Sequence, residues 1–524
     1  MSARRVHRVA AAIAALLVAA TACGAPVNGS GGAAPSAKAA VDPNGRLVVG
    51  TVAVPTGFDP HQERTAGERP YTFLVFDRLT KLDQSMRAQP MLATAWKFSS
   101  DGLSMTMDLR ADVRFHDGTP FDATVVQANI ERAKTLKGST SANKLTAVKS
   151  VEVVSPAQVR FLLSTPSPEL PQVLSGPPGA MISPKAINAQ ADLVKDPGLA
   201  GTGPYTVATF VPSERVVFAR AAGQNWDRQA GRLAELEVRF VQDGRTRSSA
   251  LRANELDVSY VDPADSSAVK EAEALGGSGQ FVHQHTPSGV ANALLMRSSL
   301  LKDARVRQAV VRAINRDAIV KGLLQGTCAR SDQLVREGFP GHIDGFTDPY
   351  PYDPEAARRL LAEAGHGSGM DLEIFFIAGR QQIPEAVQQQ LLQVGIRAQL
   401  TPLTSVEAFT AYRSDKAETW NYQITPDTSV GATLDNVLSP TGLGGQSKAV
   451  AAALTKARAT LDDAGRDRAY QDAMRALADE AFFVLYCHLD AHYLTAKSVI
   501  GFDTAPLPYA QYMLDLRYVA QAKL

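Results

Sequence analysis

Two imidazoles and a carboxylate stand at alternate positions in the run His488-Leu489-Asp490-Ala491-His492. On a strand, alternate side chains share a face. His488, Asp490 and His492 are therefore expected to project together, with Cys487 and Leu489 opposite. Such a set can ligate Ni²⁺, Zn²⁺ or Cu²⁺. It can equally be the polar, solvent-facing side of a strand, and the sequence favours that simpler reading, which leaves the trio a weak metal candidate. His283 and His285, in His-Gln-His, carry the same two readings. The motifs of enzymes are missing: there is no G-x-S-x-G elbow, no Walker A loop, no H-E-x-x-H and no C-x-x-C. Carboxylates are plentiful, but spacing singles out no pair. The chain is thus expected to bind rather than to catalyse, with an exported hydrolase as the reading of a different class.

The beginning of the chain explains its sparse cysteines. Arg4, Arg5 and Arg8 form a positive segment, and Val9 to Ala20 is almost unbroken Val, Ala, Ile and Leu. Small residues Thr21 and Ala22 then precede Cys23. This is the layout of a secretory signal peptide over residues 1–22. The apolar run is about a dozen residues, short of the ~20 that a spanning helix needs. Thr-Ala-Cys resembles a bacterial lipobox, in which the Cys is lipidated, although Ala20 stands where Leu is usual. Residues 23–43 are rich in Gly, Ala, Ser and Pro without apolar periodicity. They read as a flexible tether holding a folded body off a membrane. Export also bears on Cys328 and Cys487, the two cysteines that remain. In an oxidising compartment the pair is most simply a disulfide; two separate buried thiols are the alternative.

The chain has 524 residues, with 54 Lys plus Arg against 53 Asp plus Glu. That balance gives no reason to expect nucleic acid as a partner. No later apolar stretch approaches ~18 residues, so the body is expected to be water-soluble. About 480 residues beyond the tether are too many for one core and imply two or three domains.

The elements that must position these residues are mixed α and β. Arg46–Val54 is a short β-branched run ending at Pro55, a strand signal. Met105, Met107 and Leu109 alternate before an Asp117-Gly118 turn, and Asp122 can cap a helix facing inward with Val126, Ile130 and Ala133. Val306, Ala309, Val310, Ala313 and Ile314 mark an amphipathic helix, with Gly326 suited to stop its continuation. Asp353 caps a helix with Pro354 at its first position, and Gly365 ends it. A strand through Leu372, Ile374 and Phe376, a helix from Pro384 to Gly395 and a strand through Ile396, Ala398 and Leu400 make a βαβ unit.

At this point the sequence resembles the substrate-binding lipoproteins of peptide-type ABC importers, solute-binding protein family 5. The resemblance runs from about Leu47 to Phe502. Its strongest pieces are Leu92–Ala123, Gly201–Tyr205 ("GTGPY"), Asp303–Gly326, Tyr352–Gly365 and Gln389–Ile396, in the family's order. It implies an α/β, two-lobed periplasmic-binding-protein fold (type II, cluster C) with two hinge segments. Lobe 1 would be residues 44–288 plus 490–524, with an extra subdomain at about 84–198, and lobe 2 would be 289–489. The crossings would lie near Ser288–Arg297 and Phe482–Leu494. No cofactor is implied, and the chain is expected to be a monomer. Its partners would be a small-molecule or peptide ligand, a permease and an ATPase subunit, and the extracytoplasmic face of the membrane through the lipid on Cys23.

Peptide-binding relatives pair an Asp of lobe 2 with the peptide's α-ammonium. Here the matching segment is Thr419–Pro440, in which Asp427 is the nearest candidate, with Trp420 or Tyr422 upstream. A loop Asp capping a turn is the alternative for Asp427. Trp420 and Tyr422 either line the cleft or fill the lobe. Gly57–Gly67 matches the segment that enters the cleft after the first strand, so Glu63, Arg64 and Thr65 could meet a ligand there; a solvated loop is the alternative. Oligo- or dipeptides are the leading ligands, with nickel or metal chelates and other small polar solutes behind them. A sensor without a transport partner is a further possibility.

Overall fold

A single sheet runs through the whole folded body of this computed structural model. The structure describes residues 40–297, 301–404, 407–408, 410–411, 418–438, 447–510 and 512–523. Cys23 and the signal segment lie outside them. Within the sheet, strands are labelled along the chain: β1 (Arg46–Thr51), β2 (Tyr205–Val211), β3 (Arg215–Arg220), β4 (Glu235–Phe240), β5 (Val258–Val261), β6 (Val282–Met296), β7 (Ala329–Arg330), β8 (Met370–Ile377), β9 (Ile396–Leu403), β10 (Thr419–Ile424) and β11 (Phe483–Thr495). Their spatial order is β9-β8-β10-β6-β11-β5-β1-β4-β3-β2, with β7 paired to β11.

The two long strands β6 and β11 are the crossings. They pair antiparallel from Val282 opposite Thr495 to Leu295 opposite Phe483. At one end, His492–Thr495 of β11 pairs with β5. At the other, Ala291–Met296 of β6 pairs with β10. Two half-sheets therefore hang from opposite ends of one ribbon, which is how two lobes come to share a hinge.

Each half-sheet is buried on both faces, so its strands read as continuous apolar runs. In the first lobe Leu47 and Val49 of β1 join Tyr71, Phe218, Val238 and Tyr493 in one core, while Val48 faces Leu251, Val269 and Leu494. In the second, Ile374 packs with Val310, Leu361 and Val387, and its neighbour Phe375 packs with Trp420, Leu434 and Tyr470. Alternation of side chains across a strand requires this division. A separate core lies in a subdomain of the first lobe. It has a four-stranded sheet in the order Ala93–Phe98, Ser104–Leu109, Gln158–Leu163, Val148–Ser155. The helix Ala123–Thr135 covers that sheet with Val126, Ile130 and Ala133.

Local signals in the sequence explain most helix ends. Asp122 accepts from the N–H groups of Thr124 and Val125. Asp353 accepts from Ala356 N–H at the start of Pro354–Glu363. The helix at Ala304–Ala313 is capped by Asp303, but Ile314 is extended and the chain re-enters as a π-helical turn at Ala318–Leu323. One continuous helix to Gly326 was the expectation, and the extended Ile314 breaks it. The βαβ unit is present: β8 and β9 pair in parallel around the helix Gln382–Leu392. Cys328 and Cys487 are joined by a disulfide, with their Cα atoms 5.8 Å apart.

Candidate functional site: an ionic cleft between the lobes

Asp427 lies in the loop between β10 and the helix Val430–Leu438, and it is 7% exposed. Both of its carboxylate oxygens accept from Nζ of Lys144, at 3.0 and 2.8 Å. Lys144 belongs to the short turn Ala142–Leu145 that follows the subdomain helix. The pair therefore joins the first lobe to the second. Oδ1 also accepts from Thr428 N–H at 2.7 Å and Oδ2 from Asn436 Nδ2 at 3.2 Å. Asp427 N–H in turn donates to Thr433 Oγ1 at 2.9 Å, fixing the loop. Burial alone would raise the acid's pKa; the cations Lys144 and Arg69 outweigh it and hold the carboxyl well below the usual range.

Arg69 opens a buried helix, Arg69–Val75, and its Nε donates to Glu63 Oε1 at 2.8 Å. Both residues are nearly inaccessible, at 6% and 7%. Burial pushes Glu63 up to about 7 despite the opposing pull of Arg69 and Lys144. Buried polar atoms normally find partners. Oε2 of Glu63, Nη1 of Arg69, Oγ of Ser141 and Oγ1 of Thr428 are buried with none among the described residues. Four such atoms lie on residues of the ion network or within three positions of it in sequence, and each has capacity for a further polar contact.

Further contacts cross the cleft beside this network. Glu169 of the subdomain accepts from Ser429 Oγ at 2.7 Å and from Gly431 N–H at 3.4 Å. Arg87 reaches Asp467 at 3.0 Å and Asp463 at 3.6 Å. Gly289 N–H donates to Pro508 C=O at 2.7 Å. Met86, Phe339, Ile424, Pro426 and Leu434 line a pocket of about 30 Å³ against Ser429 and Thr433. With the lobes in contact, Asp427 is 7% exposed and Lys144 covers both of its carboxylate oxygens. Entry requires the lobes to part.

The residues read from the sequence fall in different places. Of Glu63, Arg64 and Thr65, only Glu63 belongs to the ion network. Arg64 and Thr65 are exposed, and Arg64 lines a separate surface hollow with Thr56, Gln62, Thr140 and Lys195. Trp420 is 2% exposed and stacks on Tyr422 with ring centroids 3.9 Å apart. Trp420 thus fills the core of its lobe, and Tyr422 packs over it.

The trio His488, Asp490 and His492 is not arranged to hold a metal ion. Each of His488, Asp490 and His492 meets its own partner. The β6–β11 register shifts between Pro287 and Ala291, opposite this stretch. His488 is buried, with Nε2 3.0 Å from Leu334 C=O, and burial pushes it down to about 4. Asp490 accepts from Arg336 Nη1 at 2.5 Å. His492 Nδ1 lies 3.1 Å from His283 Nε2, and His285 stacks on His492 and lies tilted against His283. Among the described residues no group of three or more His, Cys, Asp or Glu is arranged to hold a metal ion. Sequence reading missed Lys144, Arg69 and Glu169. Their only signal was charge within a subdomain and a helix start, which many surface residues share.

A two-lobed α/β body, hinged on two crossing strands and closed by ion pairs over buried polar atoms, is the architecture of a ligand-enclosing binding protein. Comparisons place it more closely. Residues 87–443 match the bacterial extracellular solute-binding proteins, family 5, middle region. The glutathione-binding protein GsiB of Salmonella choleraesuis is 30% identical over 356 residues, covering 66% of this chain and 67% of that protein. NikA from Brucella suis, solved with Fe(III)-EDTA, superposes with a TM-score of 0.79 at 24% identity, over 91% of this chain and 100% of NikA. DppA from Helicobacter pylori, solved with the peptide STSA, gives 0.77 at 22% identity, over 92% and 98%. The chain belongs to family 5 of the bacterial extracellular solute-binding proteins, the binding components of ABC importers. No helix among the described residues is long and apolar enough to cross a membrane.

Proposed function

We propose that this protein is a lipid-anchored receptor on the outer face of the cell membrane that captures short peptides and passes them to an ABC permease. Cys23 carries the lipid, and residues 24–43 are the tether. Lobe 1 comprises residues 44–288 with 490–524, and lobe 2 comprises 289–489. The molecule acts as a monomer. Ligand contacts with both lobes shift the hinge toward the closed form, which the permease recognises. ATP is used by a separate subunit.

The observation that carries this reading is Asp427, a buried ionised carboxylate at the interlobe contact. It is supported by the position of Asp427 in the segment where peptide-binding relatives hold an amine anchor. Two relatives point the same way: one is named for glutathione, and one was solved with a peptide. The test is native mass spectrometry of the purified protein with a mixed dipeptide and tripeptide library, followed by calorimetry. Retention of intact peptides supports the proposal. Recovery of cleaved fragments, or exclusive retention of non-peptide solutes, overturns it.

A further inference from the structure

Asp427 is not free in the closed form: Nζ of Lys144 already lies within 3.0 Å of both its oxygens. A ligand whose only nearby charge is an ammonium must displace Lys144 from Asp427. It would then leave the lysine, a cation from the opposite lobe, beside its own positive charge, with Arg69 as a third cation acting on the same carboxylate. Like charges brought together in a partly desolvated site repel strongly. The lysine side chain is only 27% exposed, so solvent relieves this only in part. A ligand that brings an anion along with its ammonium removes the conflict. Its ammonium takes Asp427, and its carboxylate takes the released Nζ of Lys144 and the buried Nη1 of Arg69, which has no partner among the described residues. Both charges must sit close together on the ligand, because Lys144 and Asp427 are themselves in contact.

Resting on the reading of Asp427 as an amine anchor, we propose that Lys144 is a specificity-determining residue. It selects ligands that carry an ammonium and a carboxylate on the same carbon. Free α-amino-acid heads have this arrangement, and so do peptides joined through a side-chain carboxylate. Ordinary α-linked peptides hold their ammonium and carboxylate at opposite ends. They satisfy Asp427 but leave Lys144 without a counter-ion.

Two isomers with the same atoms and net charge separate the cases: γ-glutamyl-alanine and α-glutamyl-alanine. Calorimetry is run on the wild type, on Lys144→Met and on Lys144→Arg, with thermal melts confirming that each variant is folded. The wild type should bind the γ-linked isomer at least tenfold tighter. Lys144→Met should lose that preference, and Lys144→Arg, which keeps the charge, should retain most of it. Equal binding of the two isomers by the wild type, or a preference unchanged in Lys144→Met, overturns the role of Lys144 and leaves the peptide reading standing. No binding of either isomer, or of any dipeptide, by the wild type overturns both.

Discussion

Lys144 and Asp427 are 283 positions apart in the chain and meet at 2.8 Å across the two lobes. One stands on the subdomain of lobe 1 and the other at the end of β10 in lobe 2. Their contact exists only while the lobes are together, so it ties closure to charge. Changing Asp427→Asn keeps the side chain's shape but removes the charge that both Lys144 and a ligand ammonium need. A hydrogen bond to a charged group contributes about 1.5–3 kcal/mol. Peptide affinity should therefore fall by about 10- to 100-fold in calorimetry. Unchanged affinity would remove Asp427 from the binding site.

The ion pair also shows where sequence reading ends. Caps such as Asp122 and Asp353 were legible because they act on residues within one turn. The βαβ unit at residues 370–403 was legible because its periodicity is local. Asp427 was reachable through its segment's resemblance to relatives. Lys144 was not, since nothing in Ala142–Leu145 says which carboxylate 283 residues away it will meet. His488 shows a second limit. Alternation puts it on a face with Asp490 and His492, but it does not say that His488 will meet Leu334 C=O and Asp490 will meet Arg336 in place of a common ion. Both partners come from 154 positions earlier in the chain, and the strand's own sequence does not show them.

Gly431 faces Glu169 of the other lobe with no room for a side chain. A Cβ there would overlap Oε2 of Glu169 and lie 2.6 Å from the hydroxyl oxygen of Tyr470. Gly431→Ala should hinder closure and weaken ligand binding by about tenfold or more, since overpacking costs about 1–3 kcal/mol. Small-angle scattering with saturating ligand should show a larger fraction of open molecules than in the wild type. Adding Glu169→Ala removes the interlobe part of the clash, so the double variant should regain affinity. If it does not, the obstruction lies with Tyr470 inside lobe 2.

The disulfide joins cysteines separated by 159 positions. Cross-links that close long loops restrict the unfolded chain most, and losing one typically costs about 2–5 kcal/mol. One end, Cys487, lies on crossing strand β11, and the other, Cys328, packs in the core of lobe 2. Reduction, or Cys328→Ala with Cys487→Ala, should lower the melting temperature clearly. Ligand affinity of the folded variant should change less than twofold, because both cysteines pack in the apolar core of lobe 2. A melting temperature unaffected by reductant would show that the bond does not form in the exported protein.

Glu63 gives the cleft a pH signature. Burial pushes its carboxyl up to about 7 from an ordinary 4.5. Between those values the folded protein holds a proton that the unfolded chain has released, so this residue makes stability fall as pH rises through the window. His61, His488 and His492 work in the opposite sense. Burial pushes each down to about 4. Their contribution is fully present above 6.5 and is lost as pH falls toward 4, because unfolded imidazoles take up protons that the folded ones refuse. The two windows overlap, so the wild-type curve cannot separate them, whereas a variant can. Glu63→Gln keeps an oxygen to accept from Arg69 Nε and cannot titrate. Its unfolding free energy minus that of the wild type should rise between pH 4.5 and 7, by at most about 3 kcal/mol, in urea titrations at closely spaced pH. A flat difference would mean that Arg69 keeps Glu63 ionised throughout. The buried pair would then enter the closed cleft as a fixed dipole, and ligand binding between pH 5 and 7 should show no uptake or release of a proton by Glu63.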